Sequence, residues 1–248
     1  MADATPCDSC HAGCCRAFVV PITGADALRL QRTGHDFWAF AVRWSDPDGA
    51  IAGRVAPHLY FADTGDEPFV LGLMHNESAV HPGTSRCRFL LESPPTPDAP
   101  LGRGVCSLYG SRPSACRVFP TKFDAARELV QLEPVPPSGR PSDPQPAYSL
   151  CPRPWQTHEI DVVEQPGVLA AAESEMDFFT KVATLWNRTR GPWEAFPTFL
   201  QLVYAGRVVV SNESRPLPSG GSETSDEPPA TIPFRRPSPQ PSDRRRAA

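Results

Sequence analysis

Cys7-Asp8-Ser9-Cys10-His11-Ala12-Gly13-Cys14-Cys15 places four thiols in nine residues near the start of the chain, spaced C-x2-C-x3-C-C. Two thiols separated by two residues can wrap one metal in a tight turn, as in zinc knuckles and iron–sulfur loops. Gly13 supplies the backbone freedom that folding around an ion requires. Adjacent residues project differently from the backbone, so Cys14 and Cys15 are expected to serve two sites, or one cluster and one structural partner. His11 inside the run, and His75 and His81 ahead of Cys87, are weaker ligand candidates than the thiols.

Outward from this run, four more cysteines complete a set of eight: Cys87 in Cys87-Arg88-Phe89-Leu90, Cys106 and Cys116 in the stretch from Cys106 to Pro120, and Cys151 before Pro152. No cysteine follows. Proline after a thiolate fixes the turn at the edge of a ferredoxin-type cluster. Arg16, Arg88, Arg112 and Arg117 lie close in sequence to thiols, where they would offset the negative charge that thiolates accumulate. Tyr109, Arg112 and Pro113 are expected to shape the turn between Cys106 and Cys116, with Arg112 donating hydrogen bonds to carbonyls or a carboxylate.

The 248 residues suit one domain with extensions or two small ones and exclude a large multidomain enzyme. Hydrophobic residues make up 40% and charged residues 21%, and 31 prolines stand where average usage would place about 12, so long regular elements are not expected. A formal charge of -4 gives no global positive field for nucleic acid or anionic lipid, and no apolar run approaches membrane-span length. The N-terminus has no basic segment followed by an apolar one, which points to a cytoplasmic protein. In a reducing compartment, clustered cysteines read as metal ligands rather than disulfides.

Phe18 to Ile22 has the apolar bias of a short strand. Thr23 then caps a helix over about 24–34 with an acid in its first turn, ending near Gly34. Short apolar pieces such as Val55 to Phe61 predict strands or hairpins, and Pro68 to Met74 resembles a strand. The proline-rich stretches Ser93 to Pro100 and Pro134 to Pro146 read as surface loops. Helical spacing runs from about Val168 to Arg190 with Gly191-Pro192 as its stop, and a second helix is expected from about Pro192 to Tyr204. Trp155, Trp186 and Trp193 read as core for these helices. Beyond Ser211 the composition cannot offset ordering entropy, so a disordered tail is expected, with Arg244-Arg245-Arg246 a solvated basic end.

The C-x2-C-x3-C-C start, the Cys-x-Phe-Leu segment, the Cys-x2-Tyr-x2-Arg-Pro-x2-Cys-Arg-x-Phe-Pro segment and the late Cys-Pro resemble the YkgJ-type cysteine-cluster family over about residues 5 to 155. That family is described as zinc- or iron-chelating, or as iron–sulfur proteins. Flagellin lysine methylases carry a similar constellation thought to hold a four-iron cluster, and by that analogy the resemblance implies iron–sulfur ahead of zinc.

The expected architecture is α+β: a small, irregular, metal-stapled domain over 1–155 with short strands and helices, C-terminal helices over 156–210, and a tail over 211–248. Cys7, Cys10, Cys14, Cys15, Cys87, Cys106, Cys116 and Cys151 are the expected ligands. The cofactor expected is an iron–sulfur cluster, of the 4Fe-4S kind, in electron transfer or supporting an enzyme. The alternative is a structural zinc in a protein-interaction module. A protein or redox partner is expected, with no nucleic acid and no membrane. Gly102-Arg103-Gly104 lacks the remainder of a phosphate loop, and no G-x-S-x-G is present, so no catalytic residue is assigned.

Overall fold

The computed structural model describes residues 10–49, 56–131 and 155–213. Cys7, Cys151, Val55, the stretch Pro134 to Pro146, the final arginines and the tail from 214 lie outside the described residues. The architecture is α+β. Short helices α1 (Cys14–Ala17), α2 (Gly24–Arg32) and α3 (Phe37–Phe40) precede β1 (Ala41–Ser45), β2 (Phe69–Leu73), β3 (His75–Glu77), β4 (Ser85–Cys87), β5 (Leu90–Ser93) and β6 (Arg103–Cys106). Then come α4 (Ser114–Val118), β7 (Thr121–Phe123), β8 (Leu129–Gln131), the long α5 (Gln165–Thr189) and α6 (Phe196–Glu213). The strands pair in sequence order as four two-stranded antiparallel ribbons, with Ala41 opposite Leu73, His75 opposite Cys87 and Leu90 opposite Cys106.

Helix α2 begins as its sequence dictates. The Thr23 side chain accepts from the Asp26 N–H, the Asp26 carboxylate accepts from the Thr23 N–H, and the chain leaves the helix through Gly34 at φ +91°. Phe18 to Ile22 differs from expectation. It runs beside β2 with Ile22 N–H donating to the Leu71 carbonyl and Leu73 N–H to the Val20 carbonyl, but forms only an isolated bridge, Pro21 to Gly72; the Leu73 carbonyl that would extend it accepts instead from Trp44 Nε1 at 3.1 Å. The last helix starts at Phe196 rather than Pro192, since Trp193–Ala195 forms a 3-10 turn, and it continues to Glu213.

One principal core joins both halves of the chain. Ile22, Leu30, Phe37, Phe40, Leu59, Phe61, Leu71 and Leu73 pack with Phe179, Val182 and Trp186 of α5 and Phe196 and Leu200 of α6. Cys87, Phe89 and Leu108 belong to this core, with Cys15, Cys106 and Cys116 packed against it. Trp155 instead joins a smaller cluster with Leu129, Ile160 and Leu169. Among the described residues no helix is long and apolar enough to cross a membrane.

Candidate metal centre

Four separate segments deliver the six described cysteines. Cys10 leads into a tight loop where Ala12 takes φ +59° and donates its N–H to Cys10 Sγ at 3.2 Å. Cys14 and Cys15 open α1, Cys87 ends β4, Cys106 ends β6, and Cys116 sits in α4. The Gly104 N–H donates to the Cys10 carbonyl at 2.8 Å, laying the loop across β6. A Cβ at position 104 would lie 2.6 Å from that of Ala12 and 2.9 Å from Leu90 Cδ1, so only glycine permits this approach.

The thiols form one electrostatically connected group in which the charge of Cys14 reaches Cys10, Cys15, Cys87, Cys106 and Cys116. The Cys14 and Cys15 thiols hydrogen-bond each other, and the pair gives up one proton early and the other late. Cys14 is brought down to about 7, first by the Cys15 hydrogen bond acting against burial, then by backbone N–H groups and the Arg112 guanidinium. Cys15 is driven up by the same hydrogen bond, by burial and by the surrounding sulfurs. Burial pushes Cys87 up to about 11 and also raises Cys10, Cys106 and Cys116. Opposing the burial are the N–H groups of Ala12, Phe89 and Leu108, each two residues beyond its thiol.

The arginines divide. Arg112 lowers Cys14, Cys106 and Cys116. It does not brace the turn as expected: its guanidinium lies 4.1 Å from the centre of the Tyr109 ring, its Nε has no hydrogen-bond partner, and its own carbonyl accepts from Arg29 Nη2 at 2.9 Å. Arg16 is buried and its guanidinium pairs with Glu92. Arg86, which sequence reading passed over, exerts the field that lowers Cys87. Asp26 was also missed as a site residue. Its Oδ1 accepts from Arg29 at 2.6 Å and from both the N–H and hydroxyl of Ser114 at 3.0 Å, tying α2 to the start of the helix that carries Cys116.

Of the histidines, His11 is buried and its carbonyl accepts from Arg16 Nε at 3.2 Å. His75 faces Cys87 across the β3–β4 ribbon, with Nδ1 3.4 Å from Ser85 Oγ, and His81 meets the Leu101 carbonyl at 3.2 Å.

An all-sulfur donor set with N–H donors and cationic neighbours fits a thiophilic metal. As placed, no group of three or more His, Cys, Asp or Glu among the described residues closes into a finished ion cage. Most of these thiols hold their protons more tightly than free cysteine, and ligation displaces those protons. A family model, CxxCxxCC, "Putative zinc- or iron-chelating domain", matches residues 6–135, a stretch containing every cysteine but Cys151. No curated protein and no solved structure matches the chain.

Proposed function

The chain belongs to the CxxCxxCC family of zinc- or iron-chelating domains, and from that premise we propose that its cysteines ligate an iron–sulfur cluster, of the four-iron kind, in a redox protein. The observation that carries this reading is the uniformity of the donors: six thiols from four segments in one connected group, the all-thiolate donor type that a four-iron cluster draws its four ligands from. Cys7 and Cys151 complete the proposed ligand set. When bound, such a cluster supplies reversible one-electron transfer.

The chain's own residues prepare the place for it. Ala12, Phe89 and Leu108 aim N–H groups at thiolate sulfur, a contact that stabilises the charged ligand and tunes a cluster's potential. Arg112 and Arg86 counter the accumulated negative charge. Cys87, with Phe89 and Leu108 in the core, closes one side to water. A reducing, cytoplasmic setting keeps the thiols available, and a protein redox partner would exchange the electron.

Zinc is the second reading, favoured by the shortness of the strands: among the described residues none exceeds five residues, and a chain of such short ribbons gains from a structural staple. Elemental analysis and a visible spectrum of anaerobically purified protein decide the matter. Iron and acid-labile sulfide with absorption near ~400 nm, bleached by dithionite, is the expected result. Stoichiometric zinc without colour would replace it with the structural site, and absence of both metals would overturn both readings.

A further inference from the structure

A carboxylate outside every cysteine motif links the thiol segments. Glu92, in β5, is nearly inaccessible, and its Oε1 pairs with Arg16 Nη1 while accepting from Ser78 Oγ at 2.7 Å. Its Oε2 accepts from the Ala79 N–H at 3.1 Å and lies 2.8 Å from Arg86 Nε, a charge pair in which the Nε–H is not aligned for a hydrogen bond. Arg16 directly follows Cys15, and Arg86 directly precedes Cys87. The Arg16 side chain also donates to the His11 carbonyl at 3.2 Å and to Ser78 Oγ at 3.0 Å, closing the loop that carries Cys10 and Cys14. Arg86 Nη1 donates to the Leu90 carbonyl at 2.6 Å. Cys15 and Cys87 lie within electrostatic reach of each other. One buried carboxylate therefore sits between two guanidiniums, each one residue away from a thiol of a different segment.

Resting on the metal-centre reading, we infer that Glu92 is a positioning residue, setting the mutual placement of Cys15 and Cys87 through Arg16 and Arg86. A buried ion pair costs desolvation that an apolar pair of the same volume avoids, so its use here calls for a role beyond stability. Register is the role that fits, because a carboxylate between two guanidiniums accepts only a narrow range of geometries whereas packed methylenes slide. No titration is involved: the carboxylate acts as a fixed charge.

The test compares the full-length parent with Glu92→Gln, with the paired replacement Arg16→Met/Glu92→Leu, and with Glu175→Gln. The last removes a carboxylate charge from the Tyr204–Arg207 network between α5 and α6, a comparable loss away from the thiols. Two readouts are taken. One is cobalt(II) uptake, with the thiolate-to-metal band giving thiolates per ion and a chelator giving the release rate. The other needs no metal: bridging of Cys15 to Cys87 by dibromobimane in stripped protein, mapped on peptides.

The expected result is a fall of fivefold or more in Cys15–Cys87 bridging, and release of cobalt at least tenfold faster, in the paired replacement and in Glu92→Gln, with Glu175→Gln like the parent. Parent-like bridging and release in the paired replacement would overturn the inference. So would equal losses in Glu175→Gln, or failure of both Glu92 variants to fold, since the pair would then serve general stability. If the parent takes up no cobalt, the metal-centre reading fails, and the bridging assay alone decides whether Glu92 places the two thiols.

Discussion

The ring-lined and the thiol-lined parts of the molecule are built on opposite physical terms. Phe61 is fully buried, with its ring centre 5.2 to 6.0 Å from those of Trp193, Phe196, Trp186 and Phe69. The polar edges there are satisfied: Trp186 Nε1 donates to the Tyr60 carbonyl at 2.9 Å, and Arg43 lies 4.9 Å from the centre of the Phe61 ring while pairing with Asp63 at 2.8 Å. Every ring removed from water favours folding, and the contacts need nothing from outside the chain. By contrast, Cys14, Cys15, Cys87, Cys106 and Cys116 gather polarizable thiols within electrostatic reach of Cys14, and burial pushes every one of them up; only at Cys14 do the Cys15 hydrogen bond, backbone N–H groups and Arg112 outweigh it. That region is held by ion pairs and a few one-turn helices, and on the proposed reading its thiols await a metal. One part is complete in itself; the other, on that reading, is shaped for an added atom.

The largest way to break this contrast is to strip the metal. On the proposed reading, thiolate ligation contributes on the order of 10 kcal/mol, all of it in the cysteine segments. Hydrogen exchange on chelator-treated protein is expected to rise over residues 10–17, 85–92 and 103–118 while peptides from α5 and the described part of α6 stay protected. Equal opening of both regions would show that the two parts do not fold on separate terms.

Next in size is Phe61→Ala, which removes the ring at the centre of the aromatic part and should cost about 3–5 kcal/mol. The cost should be the same in metal-loaded and stripped protein, read as equal shifts in denaturant midpoint, with metal content unchanged. A loss of metal in step with stability would mean that the aromatic part positions the thiols after all.

The same contrast explains what could be read in advance. The aromatic part follows local rules, so the Thr23–Asp26 capping box, the strand over Phe69–Leu73 and the Gly191-Pro192 stop after α5 were legible from spacing and turn chemistry. Helix α3, Phe37-Trp38-Ala39-Phe40, is too short to show a period, and Phe18 to Ile22 carries a strand's composition but makes only an isolated bridge, because the Leu73 carbonyl beside it is taken by the Trp44 side chain, a partner no local pattern marks. The cysteines announced themselves by type and clustering. Their fixings did not: Glu92 to Arg16 and Asp26 to Ser114 span 76 and 88 residues, and no local pattern marks a carboxylate as the partner of a distant arginine or helix start. Arg112 and Arg16 show the limit clearly, since both stand near cysteines in sequence, yet Arg112 bears on the thiols while Arg16 turns inward to a carboxylate.

The smallest predicted effect sharpens the contrast inside the thiol part itself, because Cys14 departs from its neighbours. Its folded pKa, about 7, lies below the ordinary thiol value of 9.0, so its contribution to the stability of stripped protein is fully present above 9 and lost as pH falls through 7. Cys87, held near 11, contributes in the opposite sense: its share is present below 9 and lost as pH rises through 11. Stripped protein should therefore gain up to about 2 kcal/mol between pH 6.5 and 9, and Cys14→Ser should flatten that rise. Iodoacetamide mapping over the same range should find Cys14 alkylated first, with a midpoint near 7 that moves upward in Arg112→Met as the guanidinium field is removed. Uniform alkylation of Cys14 and Cys87 at one midpoint would show that the Cys15 hydrogen bond and the arginine do not set Cys14 apart, and that the thiols behave as ordinary buried cysteines until a metal arrives.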